Sequence, residues 1–131
     1  MNRARTFLFT TAPPPPVAAA AAAALELAAG VEGEARRRGL HQHMAAFAAA
    51  LGRSSPAGSP LTPIFPIILG PDAAALAAAR TLREHGFFTQ AIRPPTVPEG
   101  TARLRITMSA QHQPADLARL AQALRALPPA P

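Results

Sequence analysis

The stretch AIRPPTVPEGTARLRIT, residues 91–107, decides the fold, because it joins a stiff loop to a cleanly alternating strand. Three prolines and a glycine restrict the loop over residues 93–100. Residues 101–108 then alternate between apolar and polar side chains, and successive side chains of a strand point to opposite faces. Arg103 and Arg105 therefore share one face of the predicted strand.

Two elements precede this stretch. The apolar run over residues 64–69 predicts a buried strand, and Pro66 within it favours a sheet edge or a bulge. Asp72 is placed to cap a helix over residues 73–85, and Gly86 suits the left-handed conformation that ends many helices.

A second strand and a last helix complete the C-terminal part. Residues 87–92 predict a strand that leads into the loop, and Pro114 opens a helix after the third strand. The helix carries an amphipathic stripe of four leucines, Leu117, Leu120, Leu124 and Leu127. The predicted order is β-α-β-β-α, an α+β class in which helices cover one face of a small antiparallel sheet.

Two helices are predicted ahead of this sheet. Residues 17–29 are rich in alanine, and residues 34–51 carry apolar side chains at steps of three and four, namely Leu40, Met44, Phe47 and Leu51. We therefore predict a helical segment over residues 1–52, a turn-rich linker over 53–61 and a C-terminal α+β domain over 62–131.

The composition excludes several kinds of site. All 13 basic residues are arginine, and the chain has no lysine, cysteine, tyrosine or tryptophan. Without cysteine, disulfides and thiolate metal sites are excluded, and a cytoplasmic protein fits by default. The net charge of +6 comes from scattered arginines without tyrosine or tryptophan to stack on bases, which argues against a nucleic-acid partner.

The sequence also argues against membrane insertion, metal binding and a catalytic pair. Prolines at 13–16 interrupt the apolar N-terminus, and the alanines after them are too weakly hydrophobic for a membrane span. His41 and His43 are two residues apart on a predicted helix, so they face different directions. Since no two carboxylates have the spacing of an acid–base pair, we predict no catalytic residue in the chain.

The two arginines of the third strand have two interpretations. A proline-stiffened loop beside two guanidinium groups can hold a carboxylate bidentately with little loss of side-chain freedom. However, exposed arginines are common around ordinary hairpins, and few of them bind a ligand. Physical grounds alone favour this second interpretation.

Three segments nevertheless resemble one enzyme family. Residues 62–64 (TPI), 91–98 (AIRPPTVP) and 103–112 (RLRITMSAQH) look like the C-terminal small domain of the α-oxoamine synthases, which are pyridoxal-phosphate (PLP) enzymes of fold type I. Residues 2–12 (NRARTFLFTTA) are similar to the family segment just after the PLP lysine. The resemblance covers the whole chain, but only about the last third of such an enzyme.

The RPPTVP motif at residues 93–98 resembles the branch of the family that serves biotin synthesis. The glycine C-acetyltransferase and 5-aminolevulinate synthase branches usually have a different lead-in to Val-Pro, and they stay open as alternatives. The resemblance implies that L-alanine is condensed with a pimeloyl thioester, carried by coenzyme A or a carrier protein, with loss of carbon dioxide. It also implies a homodimer in the complete enzyme.

The same resemblance assigns roles to five residues. Arg105 matches the arginine that holds the amino-acid carboxylate, Thr96 matches a substrate-contacting threonine, and Arg93 is a further candidate beside them. Thr10 and Thr11 match a pair that reaches the PLP phosphate of the neighbouring subunit, although Pro13 departs from the family pattern nearby.

The absence of lysine limits what the chain can do. A Schiff base to PLP requires a lysine amine, so this chain cannot hold the cofactor covalently by itself. We expect a fragment that is inactive alone and needs a large PLP-binding domain or chain. The rival hypothesis is a stand-alone, non-catalytic binding or interaction module derived from the small domain.

Overall fold

The computed structural model describes residues 13–52 and 62–128. Within these ranges the elements follow the order α1 (Pro15–Ala29), α2 (Val31–Ala50), β1 (Ile64–Gly70), α3 (Asp72–Glu84), β2 (Gln90–Ile92), β3 (Ala102–Thr107) and α4 (Pro114–Arg125). This order and the small antiparallel sheet confirm the predicted α+β class. The chain divides into two compact units, residues 1–36 and 37–131.

Helix α1 and the start of α2 belong to the first unit. Helix α1 has proline in its first turn, where the missing N–H costs no hydrogen bond, and none of its residues is buried. The backbone of α1 at Ala28 lies very close to Gly33 of α2. A β-carbon at position 33 would be 2.2 Å from the carbonyl oxygen of Ala28, so glycine is the residue that fits there. No single helix in the described ranges is long and apolar enough to cross a membrane. Helices α1 and α2 reach the required length and hydropathy only when they are counted together, as a pair bent at the break between them.

The second unit contains a three-stranded sheet with β3 in the middle. Both β1 and β2 pair with β3 in antiparallel orientation. Strand β1 lies at an edge of this sheet. Pro66 is tolerated there because no further strand needs the backbone N–H that proline lacks. The pairing of β1 also shifts register between Ile68 and Gly70. The edge position predicted from Pro66 is confirmed.

The inner face of β3 lies at the centre of the core. Ala102 and Leu104 are fully buried and Ile106 nearly so, while Arg105 on the opposite face is exposed. The alternation predicted for this strand is therefore confirmed. Three leucines of the predicted stripe, Leu117, Leu120 and Leu124, lie on α4 and are buried in the same core. The fourth, Leu127, follows the end of α4 and packs partly buried against that core.

The C-terminal half of α2 packs into this core as well. Met44 and Phe47 are each 1% exposed, and two partly buried leucines of the predicted stripe, Leu40 and Leu51, lie against the core. The rings of Phe47 and Phe65 meet edge to face, with centroids 5.2 Å apart and ring planes at 85°. Aromatic pairs prefer this arrangement because the positive edge of one ring meets the negative face of the other.

The helix cap predicted at Asp72 was wrong. Pro71 occupies the N-cap position of α3, and no side chain hydrogen-bonds to the free N–H groups there. Asp72 is instead the first helical residue, where its negative charge interacts favourably with the positive end of the helix dipole. The helix therefore begins one residue earlier than predicted. Asp72 stabilises this first turn by its charge and not by a capping hydrogen bond.

The second strand is shorter than predicted, because the preceding residues close α3. Gly86 has a φ of 86°, in the left-handed region that favours glycine. Its N–H donates to the carbonyl of Arg83, and the N–H of Phe87 donates to the carbonyl of Leu82 at 2.8 Å. These two bonds form a Schellman motif, so pairing with β3 begins only at Gln90.

The predicted linker, residues 53–61, lies outside the described residues. The division into a segment over 1–52 and a domain over 62–131 therefore stays a prediction. The structure does show that the part of α2 carrying Met44 and Phe47 packs with the second unit.

Candidate functional site

The outer face of the sheet is the face that carries Arg103 and Arg105 on β3. The strand register places Gln90 of β2 opposite Arg105, and Ile92 opposite Arg103. On the other side, β1 adds three exposed apolar side chains, Ile64, Pro66 and Ile68. Arg103 and Arg105 thus lie between the exposed apolar side chains of β1 and strand β2, which carries the side-chain amide of Gln90.

The guanidinium of Arg103 is held within its own strand and the loop before it. Its Nε donates to the carbonyl oxygen of Thr101 at 3.0 Å, and its Nη2 donates to the Thr101 hydroxyl at 3.1 Å. The same hydroxyl donates to the carbonyl oxygen of Pro98 at 2.6 Å. These hydrogen bonds connect the Arg103 side chain to the end of the loop, and the side chain is partly buried.

The guanidinium of Arg105 is much less engaged. Its Nη2 donates to the Gln90 side-chain oxygen at 2.9 Å, across the pair of strands, and its side chain is exposed. Within residues 13–52 and 62–128 no carboxylate lies within ion-pairing distance of it. Because a guanidinium has five N–H donors, most of them remain for a ligand. Arg105 thus offers an unneutralised positive charge on the outer face.

Arg93 and Thr96 lie in the loop between β2 and β3. The N–H of Thr96 donates to the carbonyl oxygen of Arg93 at 3.0 Å, and the peptide bond between Pro94 and Pro95 is cis. Both Arg93 and Thr96 have exposed side chains. The loop starts next to Ile92, which pairs with Arg103, so it lies at the Arg103 end of the outer face.

The other two predicted site residues, Thr10 and Thr11, lie outside the described residues. The structure therefore places Arg103 and Arg105 on one face of the sheet, with the loop that carries Arg93 and Thr96 at the Arg103 end of that face. The roles of these residues toward a ligand stay predictions.

Two residues of this region, Gln90 and Thr101, were not predicted from the sequence. Gln90 contacts Arg105 although 15 positions separate them, and only the pairing of β2 with β3 brings them together. The alternation of residues 90–92 could have placed Gln90 on a strand face, but alternation does not fix the register. Thr101 showed no sign of its role, since its contacts depend on the loop conformation.

Two of the four histidines, His85 and His112, have hydrogen-bond partners close by in the sequence. His85 Nδ1 lies 2.8 Å from the carbonyl oxygen of Thr81, and the backbone N–H of Ser109 donates to His112 Nδ1. His43 Nδ1 is buried and has no hydrogen-bond partner among the described residues. In the described part of the chain, no three His, Asp or Glu side chains are grouped so that they could hold a metal ion.

Comparison with known proteins identifies the family. The family model for aminotransferase class I and II matches residues 1–124. The 8-amino-7-oxononanoate synthase of Ralstonia pickettii is 52% identical over 96% of this chain, which corresponds to 32% of that protein. The chain thus spans about a third of the length of the curated relatives it matches.

Several solved structures are similar to the chain. Serine palmitoyltransferase from S. paucimobilis, with bound PLP and myriocin, has a TM-score of 0.76 and 25% identity over 94% of this chain and 31% of its own. The 8-amino-7-oxononanoate synthase of Francisella tularensis has a TM-score of 0.68 and 27% identity over 95% of this chain and 35% of its own. The chain belongs to the aminotransferase class I and II family, and curated relatives about 50% identical to it are named 8-amino-7-oxononanoate synthase.

Proposed function

We propose that this chain is the C-terminal third of a PLP-dependent acyltransferase of biotin biosynthesis. The complete enzyme would condense L-alanine with a pimeloyl thioester, release carbon dioxide and form 8-amino-7-oxononanoate. In this proposal the chain supplies the side of the active site that binds the alanine carboxylate. The names of its relatives support the reaction class, and the exposed, unneutralised guanidinium of Arg105 supports the role.

Arg105 is the residue proposed to bind the carboxylate. A guanidinium can donate two parallel hydrogen bonds to one carboxylate, which fixes both its position and its orientation. Arg105 can do this because, among the described residues, only one of its donors is engaged, whereas two donors of Arg103 are directed at Thr101. Thr96 and Arg93, exposed on the neighbouring loop, are proposed to contact the rest of the substrate.

PLP would serve in the complete enzyme as an electron sink for the carbanion of alanine. The chain fits a supporting role only, since it has no lysine to hold the cofactor covalently. Thr10 and Thr11 are proposed to donate hydrogen bonds to the cofactor phosphate of a neighbouring subunit. The proposal therefore includes a large PLP-binding domain or chain as partner, a homodimer, and a cytoplasmic location.

A second candidate is a stand-alone binding module without catalytic activity. The lack of lysine favours this candidate over an enzyme in which the chain itself holds PLP covalently. In that case Arg105 would bind an anion or nothing, and no partner chain would restore turnover. The two candidates differ in what happens when the remainder of an enzyme is supplied.

A genetic test separates them. We define the chimera as the R. pickettii synthase in which this chain replaces the matching third. In bacteria that lack their own 8-amino-7-oxononanoate synthase, the chimera should allow growth without biotin. The R. pickettii protein with the matching third deleted is the control, and should not. A chimera that accumulates and binds PLP but never supports growth would favour the module.

A further inference from the structure

Among the described residues, Gln90 makes the one side-chain hydrogen bond to the guanidinium of Arg105. Its Oε1 accepts a hydrogen bond from Arg105 Nη2 at 2.9 Å, and the two residues stand directly opposite each other in the β2–β3 register. Cross-strand neighbours of this kind lie close enough for their side chains to set each other's conformation. The direction of the guanidinium therefore depends on Gln90.

This contact orients the guanidinium without neutralising it. The amide oxygen of Gln90 carries no charge and uses one of the five N–H donors of Arg105. A carboxylate at the same position would hold the same donor, but it would also compete with any anionic ligand for the positive charge. The neutral amide leaves both the charge and a pair of donors available.

We infer that Gln90 is a positioning and specificity-determining residue, which orients Arg105 and reserves its charge for a substrate that carries a carboxylate. This inference rests on the proposed function, because it assumes that Arg105 binds the carboxylate of the amino-acid substrate. Gln90 does not touch the substrate; it acts through Arg105. Because the Gln90 amide is neutral, it does not lower the affinity of the site for anions.

Two substitutions separate charge from orientation. Gln90→Glu keeps the hydrogen bond to Arg105 but adds a competing negative charge, whereas Gln90→Met removes the acceptor and stays neutral. In the chimera, Gln90→Glu should raise the KM for L-alanine roughly tenfold and Gln90→Met about two- to threefold. The kcat should change little, since an interaction that acts on substrate binding changes KM alone. The thermal midpoint should be the same for both variants.

A second readout uses the chain itself and needs no cofactor. NMR of the labelled chain can follow the rotation of the Arg105 Nη2 group, which should be slow in the native chain and in Gln90→Glu, and fast in Gln90→Met. Equal rotation rates in the native chain and Gln90→Met would overturn the orientation claim. An unchanged KM for L-alanine in Gln90→Glu would overturn the charge claim.

The outcomes also distinguish this inference from the proposed function. If the native chimera shows no dependence on L-alanine, or if Arg105→Ala does not affect it, the proposed function fails. If the native chimera is active and sensitive to Arg105→Ala, but Gln90→Glu behaves like the native protein, only the inference about Gln90 fails.

Discussion

Replacement of Arg105 by alanine is expected to raise the KM for L-alanine in the chimera by roughly two orders of magnitude. A bidentate contact between a guanidinium and a carboxylate is worth a few kcal/mol when the site is partly desolvated. Arg105→Lys should recover only part of the loss, because one ammonium cannot reproduce the paired donors of the guanidinium. Steady-state kinetics with varied L-alanine measure both effects.

Arg103 provides a matched control on the same strand face. Its guanidinium is bound to the carbonyl and hydroxyl of Thr101, so Arg103→Ala should affect the loop and change the KM for L-alanine much less than Arg105→Ala does. If Arg105→Ala leaves the alanine dependence unchanged while Arg103→Ala abolishes it, the carboxylate site has been assigned to the wrong arginine.

Replacement of Phe47 by alanine is expected to lower the free energy of unfolding by about 3–5 kcal/mol. Phe47 is 1% exposed and its ring packs edge to face on Phe65, so the substitution leaves a cavity and removes an aromatic pair. Urea unfolding of the purified chain, followed by circular dichroism, measures the loss. Phe47 lies on α2 and Phe65 on β1, so the loss measures how strongly this aromatic pair stabilises the packing of the helix on the sheet.

Phe88 is the control for this substitution. It has the same side chain but is 82% exposed, and the guanidinium of Arg83 lies over its ring, 5.3 Å from the centroid. Phe88→Ala should therefore change the free energy of unfolding by less than about 1 kcal/mol. Similar losses for the two substitutions would contradict the assignment of the α2 stripe to the core.

Periodic patterns explain why most elements were predictable. The two-residue alternation from Ala102 to Thr107 fixes which side chains point inward, because only the apolar set can occupy the buried face. The four-and-three spacing that includes Met44 and Phe47 does the same for α2. Pro66 indicated an edge because it cannot donate a hydrogen bond to a further strand.

Features that depend on tertiary contacts or on competition between local motifs were not predictable. The start of β2 was misplaced because Gly86 and Phe87 close the preceding helix, and an apolar residue at 87 suits either arrangement. The partnership of Gln90 with Arg105 requires the strand register, which the loop conformation sets. For the site, alternation predicted that Arg103 and Arg105 share a face, but only the structure distinguishes the engaged guanidinium from the available one.

The central claim is that this chain supplies the carboxylate-binding side of a PLP acyltransferase and cannot carry out the reaction alone. The most direct test measures the carbon dioxide released from L-alanine labelled in its carboxyl carbon, in the presence of PLP and pimeloyl-coenzyme A. The purified chain should release none above background, because it has no lysine, whereas the chimera should release it in step with 8-amino-7-oxononanoate. Turnover by the chain alone, or none by a folded chimera that binds PLP, would contradict the account.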